Sequence, residues 1–224
     1  MNIVVLAGGI SSERDVSLSS GGMIYRALRK RGHHAILLDV YLGIEGDVEG
    51  IFGWDRDWAA RVCGIGEVAP DLEAVKALRK DGGKGFFGPN VLEICREADC
   101  VFLALHGAGG EDGRIQACFD LLGIPCTGAD FVGSCLAMDK GITKDLFRAY
   151  GIPSPEGIRL KKGEAERERV PYPCIVKASC GGSSIGVCVA CDDEEYRQAK
   201  EEAFRYGDEV IVDQYIRGRE FSVG

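Results

Sequence analysis

Residues 3–9 read Ile-Val-Val-Leu-Ala-Gly-Gly. A short β-branched apolar run ending in two glycines predicts a buried strand that enters a tight turn. Downstream, Ile24, Ala27, Leu28 and Arg31 recur at helical spacing within Ser17–Arg31, and Gly32 supplies a stop. Ala35–Val40 reads as a second strand. The chain therefore opens strand, turn, helix, strand, an order that favours a parallel sheet. Cys100–Leu105 extends that pattern as a third buried strand, between predicted helices over Pro89–Ala98 and Glu111–Leu122. Gly43–Gly88, with Trp54, Trp58 and one helix near Leu72–Arg79, reads as an insertion or long excursion.

The pattern breaks at Pro125-Cys126-Thr127-Gly128, where a domain boundary is expected. Beyond it, one helix is predicted over Phe131–Tyr150, and a charged surface connector over Lys161–Pro173. Strands are predicted at Pro173–Lys177, Val187–Ala190 and Val210–Val212. Asp192, with Glu195 completing a capping box, opens a helix reaching Tyr206. The expectation is an α/β domain over residues 1–128 built on a parallel, Rossmann-like sheet. An α+β layout with an antiparallel sheet follows over 129–210.

The chain has 224 residues, with 27 Lys and Arg against 35 Asp and Glu, for a formal charge of −8. That balance argues against nucleic acid as a partner, since such proteins usually show a basic face. It leaves room for a nucleotide gripped by a few placed lysines. Glycine is abundant, 32 residues, which fits tight turns and close backbone approach to a ligand. No run has the length of a membrane span or the form of a signal peptide, so a cytoplasmic protein with no membrane partner is expected. The ten cysteines are then reduced thiols. Cys100, Cys118, Cys135 and Cys174 lie in apolar runs as small hydrophobes, and Cys188 and Cys191 read as packing rather than a metal pair.

Four constellations carry possible chemistry. In Gly8–Ser17 the glycine turn after the first strand is the usual ligand position of an open α/β sheet, and Glu13 can receive an ammonium. The alternative leaves Glu13 and Arg14 as solvated residues at a helix N-terminus. In Leu105–Gln116, loop amides backed by a helix favour an anion such as a carboxylate, with His106 beside them. The alternative is a tight turn with a structural histidine. Lys177 precedes the hairpin Gly181-Gly182-Ser183-Ser184-Ile185-Gly186, which together can grip phosphate, unless the hairpin is merely a solvated turn. Met138-Asp139-Lys140 adds a second lysine. Last, the strand Asp213-Gln214-Tyr215-Ile216 offers backbone groups to an adenine edge, and Glu220 offers a carboxylate to ribose.

Taken in order, these stretches resemble the D-alanine–D-alanine ligases, an ATP-grasp family. The resemblance runs from Leu6–Leu18 through His106-Gly107, Glu111–Gln116, Thr127-Gly128 and Met138-Asp139-Lys140. It continues through Val176-Lys177 and Gly182–Val187 to Gly218–Val223. It implies that ATP phosphorylates the carboxylate of one D-alanine and that the amine of a second attacks the acyl phosphate, giving the dipeptide for peptidoglycan. By the family pattern Glu13 holds the first ammonium and His106 sits by its carboxylate. Lys140 and Lys177 contact the ATP phosphates. Ser183 hydrogen-bonds to Glu13 and, with Ser184, meets the nucleotide. Asp213, Gln214 and Ile216 line the adenine pocket and Glu220 the ribose. The resemblance also implies Mg2+ and a homodimer formed through the N-terminal domain.

Two departures are local: Ala178 stands where the family commonly has Pro, and Asp213 where it usually has Glu. The larger one is length. Family members continue past the Phe-Ser-Val-Gly point, into the part that carries the Mg2+ ligands, so none is expected in this chain. Residues 1–128 are then a pre-ATP-grasp substrate domain, 129–210 a central ATP-grasp subdomain, and 211–224 the start of a C-terminal half that is largely absent. Little turnover is expected of the 224-residue chain alone. Two alternatives stay open: a ligase taking D-lactate or D-serine as second substrate, and a non-catalytic binding or dimerisation module. The reading frame beyond Gly224 discriminates them.

Overall fold

A computed structural model of the chain describes residues 1–60, 62, 64–66, 70–166, 168–182 and 186–221. The chain divides into two compact units, Met1–Cys135 and Leu136–Gly224.

The first unit is built on β1 (Asn2–Ala7), β2 (His34–Asp39) and β3 (Cys100–Leu103), in the order β2-β1-β3 with both pairings parallel. The three predicted strands share one sheet. Alternation decides its layers, because successive side chains of a strand point to opposite faces. Val4, Leu6, Ile36, Leu38 and Val101 face α3 (Val91–Glu97) and α4 (Arg114–Leu122), packing with Ile94, Ile115 and Phe119. Ile3, Val5, Ala7, Ala35 and Leu37 face α1 (Arg14–Lys30) through Tyr25, Leu18 and Leu28. Both faces are covered, which is why the strands read as continuous apolar runs.

The segment 43–88 is not an excursion. It holds a 3-10 turn, Ile51–Gly53, and α2 (Leu72–Ala77). Ile51, Phe52, Phe86 and Phe87 pack into the main core. Arg79 is 7% exposed, pairs with Asp81, donates to the carbonyls of Gly85 and Lys84, and lies over the Tyr41 ring. That buried guanidinium ties the segment's end to Tyr41, just beyond β2.

The predicted helix Phe131–Tyr150 is two helices, α5 (Phe131–Met138) and α6 (Lys140–Ala149). Asp139 separates them: it is extended, caps α6 by accepting from the Gly141 and Ile142 amides, and bridges to Cys180. α5 straddles the division between the units, seven residues beyond the expected boundary at Gly128.

The second unit holds β4 (Gly157–Lys161), β5 (Cys174–Ala178), β6 (Cys188–Ala190) and β7 (Glu209–Gln214), in the antiparallel order β4-β7-β5-β6. α7 (Asp193–Ala203) covers one face through Tyr196, Ala199 and Ala203 against Val176, Val210 and Val212. Asp192 caps α7, and Glu195 reaches back to the amide of Cys191, one residue beyond the capping-box position. Strand β4 is not among the predicted strands; its last residue, Lys161, falls at the start of the predicted surface connector. The connector after it is partly buried: Glu166 accepts from Tyr196 Oη and Lys200 Nζ, both at 2.7 Å. β7 runs through position 211 and lies between two strands, so the division expected there falls inside one sheet.

Candidate functional site

In the first unit the two loops predicted to carry chemistry meet. Ser11 Oγ donates to the His106 carbonyl at 2.9 Å and accepts from the Glu13 amide at 3.3 Å. Glu13 begins α1 without capping it by its side chain, and Gly107 has φ +72°. A Cβ on Gly107 would stand 2.9 Å from Glu13 Oε2, and the positive φ strains any residue but glycine at this turn. Arg14 is not a solvated neighbour. It is 6% exposed, donates to the Gly9 carbonyl at 2.6 Å and meets Asp39 at 2.5 Å. Asp39 also accepts from the amides of Tyr41 and Leu42. This ion pair fixes the glycine turn to β2; sequence reasoning missed it because the partners lie 25 residues apart.

The loop 106–113 departs from the expectation of free amides for an anion. Glu111 Oε2 accepts from the Gly107 amide at 2.7 Å and Asp112 Oδ2 from the Gly109 amide at 2.8 Å. The chain's own carboxylates fill the places a ligand carboxylate was expected to take. Among the described residues His106 Nε2 is buried without a hydrogen-bond partner, and its Nδ1 lies 3.9 Å from Glu111 Oε1. Phe86 packs against Gly109, so the segment after β2 also supports this loop.

In the second unit, the sheet face opposite α7 carries the lysines. Lys140, the first residue of α6, donates to the Gly181 carbonyl at 2.6 Å, with the Ser179 carbonyl at 3.5 Å. Burial pushes its ammonium below the usual lysine range, and the Lys177 charge adds to this. Lys177 is not a free point charge. Its Nζ lies 2.8 Å from Asp213 Oδ2, while Lys144 Nζ lies 2.7 Å from Asp213 Oδ1. Asp213 is 2% exposed. The register makes this possible: Asp213 stands opposite Ile175 on β5 and Lys177 is two residues further along the same face. On the other side Asp213 stands opposite Gly157, where a Cβ would strike the carboxylate.

Asp139 joins this cluster from the helix break. Burial pushes its carboxyl up, but the Ser179 hydroxyl, the Ile142 and Gly141 amides and the Arg159 charge together hold it below the usual carboxylate range. Sequence reasoning overlooked Lys144 and Ser179; the i, i+4 spacing of Lys140 and Lys144 on one helix was the available signal.

Gln214, Ile216 and Glu220 are exposed. The amides of Gln214 and Tyr215 are already bonded to the carbonyls of Glu156 and Pro173, because β7 is an interior strand. They are not the free edge that was expected. Ser183 and Ser184 lie outside the described residues. Among the described residues no group of three or more His, Cys, Asp or Glu side chains is placed to hold a metal ion, and no helix is long and apolar enough to cross a membrane. The cysteines among the described residues are free; of the four expected to pack as small hydrophobes, Cys174 is buried and Cys100 and Cys118 are half-buried, whereas Cys135 is exposed, as is Cys191.

Comparison with known proteins matches residues 2–129 to the D-ala D-ala ligase N-terminus and residues 146–224 to the D-ala D-ala ligase C-terminus. The chain belongs to the D-ala D-ala ligase family. A D-alanine--D-alanine ligase of Lacticaseibacillus casei is 41% identical over 229 residues, covering 100% of this chain and 64% of the relative. The ligase of Pediococcus pentosaceus is 41% identical over 230 residues, covering 100% of this chain and 65% of its own. The chain thus spans just under two thirds of the length of these ligases. Among solved structures, the Bacillus anthracis D-alanine--D-alanine ligase complexed with ATP superposes with a TM-score of 0.69 at 27% identity. That match covers 97% of this chain and 60% of the other.

Proposed function

We propose that this chain supplies nucleotide- and D-alanine-binding parts of an ATP-dependent, ADP-forming D-alanine–D-alanine ligase. The observation that carries it is the convergence of Lys140 and Lys177 on the face of the second sheet that leads into the Gly/Ser hairpin. Two neighbouring ammoniums, one of them already depressed by burial and by the other's charge, are relieved by a polyanion. A triphosphate has the charge and length to meet both.

In this reading Lys140 and Lys177 bind the phosphates, and the hairpin with Ser183 and Ser184 supplies further donors. Glu13 receives the ammonium of the first D-alanine. His106 sits by that substrate's carboxylate. Gln214, Ile216 and Glu220 stand exposed for the nucleoside. Held in line, the carboxylate oxygen attacks the γ-phosphorus and ADP leaves. The amine of the second D-alanine then attacks the acyl carbon and phosphate departs. The chain's part in this is orientation and charge compensation, which is where most of the barrier lowering in phosphoryl transfer lies. The described residues do not offer a ligand set for Mg2+.

Titration calorimetry of the chain with ATP tests the nucleotide half. Binding is expected, and Lys177→Ala should weaken it by roughly ten- to a hundred-fold, the value of one charge-assisted contact. An unchanged affinity would remove Lys177 from the site. The ligation half is tested in the complete product of the reading frame: ADP release should require D-alanine, and mass spectrometry should find D-alanyl-D-alanine. Release of ADP with no dipeptide, or only with D-lactate or D-serine present, would overturn it.

A further inference from the structure

Of the Lys144–Asp213–Lys177 cluster, only Lys177 has a role in the reading above. Lys144 comes from α6 and Lys177 from β5, and their ammoniums lie within ion-pair distance of opposite oxygens of a carboxylate that is almost wholly buried, Oδ1 having the charge of Lys144 beside it but no well-directed hydrogen bond among the described residues. Lys144 is further held by the Pro155 carbonyl and lies 3.5 Å from Ser154 Oγ. Its side chain is 14% exposed against 25% for Lys177. Lys144 is thus the anchored partner and Lys177 the accessible one.

A phosphate reaches Lys177 by drawing its ammonium away from Asp213. With no second cation that exchange would strand a buried, unpaired carboxylate, a costly state. Lys144 keeps Asp213 compensated while Lys177 moves. We propose that Lys144 is a positioning residue for nucleotide binding: by holding Asp213 from α6, it leaves Lys177 exchangeable between that carboxylate and a phosphate. This rests on the nucleotide reading above and adds a residue to it. The neighbouring Lys140 favours the exchange, because an anion bound between Lys140 and Lys177 relieves their repulsion.

Two measurements test this. The first needs no nucleotide: Lys177 is acylated with a succinimidyl ester and its rate is followed by peptide mass spectrometry. Lys144→Met should slow labelling of Lys177 at least threefold, because Asp213 then has one cation left. Asp213→Asn should speed it, Lys144→Met with Asp213→Asn should match Asp213→Asn alone, and Lys144→Arg should match the wild type. Labelling of Lys177 unchanged by Asp213→Asn overturns the proposal, even if Lys144→Met fails to fold. The second is ATP calorimetry. Lys144→Met should weaken binding at least tenfold in the wild-type background and less than twofold beside Asp213→Asn. Equal losses in both backgrounds would make Lys144 merely structural and overturn the proposal alone. A wild-type chain that binds no ATP overturns the nucleotide reading and this inference together.

Discussion

Asp139 shows how one side chain sets both a helix start and a pH response. Its carboxylate caps α6 and accepts from Ser179 Oγ at 2.7 Å. Asp139→Ala should cost about 1 kcal/mol in urea denaturation, the usual value of an N-cap. Asp139→Asn keeps a capping oxygen but removes the titration. Because the folded carboxyl sits below its unfolded value, its stabilisation is present above that unfolded value and is lost as pH falls through the folded one. The wild type should therefore lose stability more steeply than Asp139→Asn below about pH 4, and equal slopes would assign the acid response elsewhere. Arg14 and Asp39 form a buried ion pair that holds the glycine turn to β2. With side chains 8% and 14% exposed, breaking the pair by Arg14→Met should cost about 3–5 kcal/mol, since Asp39 is left without its cation. Burial pushes the Cys95 thiol up to about 12, so a thiol reagent should label exposed Cys135 and spare Cys95 until the chain unfolds.

At the scale of elements, the segment between β2 and β3 acts as a strap. Arg79 ties residues 81–85 together, Phe86 stands edge-on to Phe87 at 5.1 Å, and Phe87 stacks on Phe119 of α4 at 6.2 Å. The strap reaches the His106 loop because Phe86 lies against Gly109. Arg79→Ala leaves two carbonyls and Asp81 without their donor and should destabilise the first unit by ~2–3 kcal/mol in thermal or chemical denaturation. Phe86→Ala should instead loosen the loop locally, seen as faster amide exchange over residues 106–112 with little change at β1. Slower or unchanged exchange there would show that the loop supports itself through Glu111 and Asp112.

For the molecule as a whole, the two units have separate cores and hold different parts of the proposed chemistry. Hydrogen exchange should resolve this. ATP is expected to protect residues 177–182 and the start of α6, while D-alanine is expected to protect the loops around Glu13 and His106. ATP protection confined to the first unit would contradict the assignment of Lys140 and Lys177.

Ile3–Ala7, Ala35–Val40 and Cys100–Leu105 were legible in sequence because a parallel strand buried on both faces is a continuous apolar run, and their shared sheet follows from the helices between them. Glu13, His106 and Lys177 stood out as residue types at glycine-rich turns, and Lys140 as a second lysine in a predicted helix. What each of them touches was not. The partners of Arg14, Lys177 and the Gly107 amide are respectively on a strand 25 positions away, on a strand 36 positions away and four residues downstream in the same loop. Local pattern carries no signal for a charge that is buried because a distant opposite charge meets it. Helix periodicity likewise ran through Asp139, since apolar spacing continues on both sides of it. The break arises from a carboxylate that bonds Ser179 and the Gly141 and Ile142 amides, and only the folded sheet brings Ser179 there. Local propensity and burial pattern wrote the elements into the chain, whereas long-range pairing of charged groups, which depends on register and packing, decided the site.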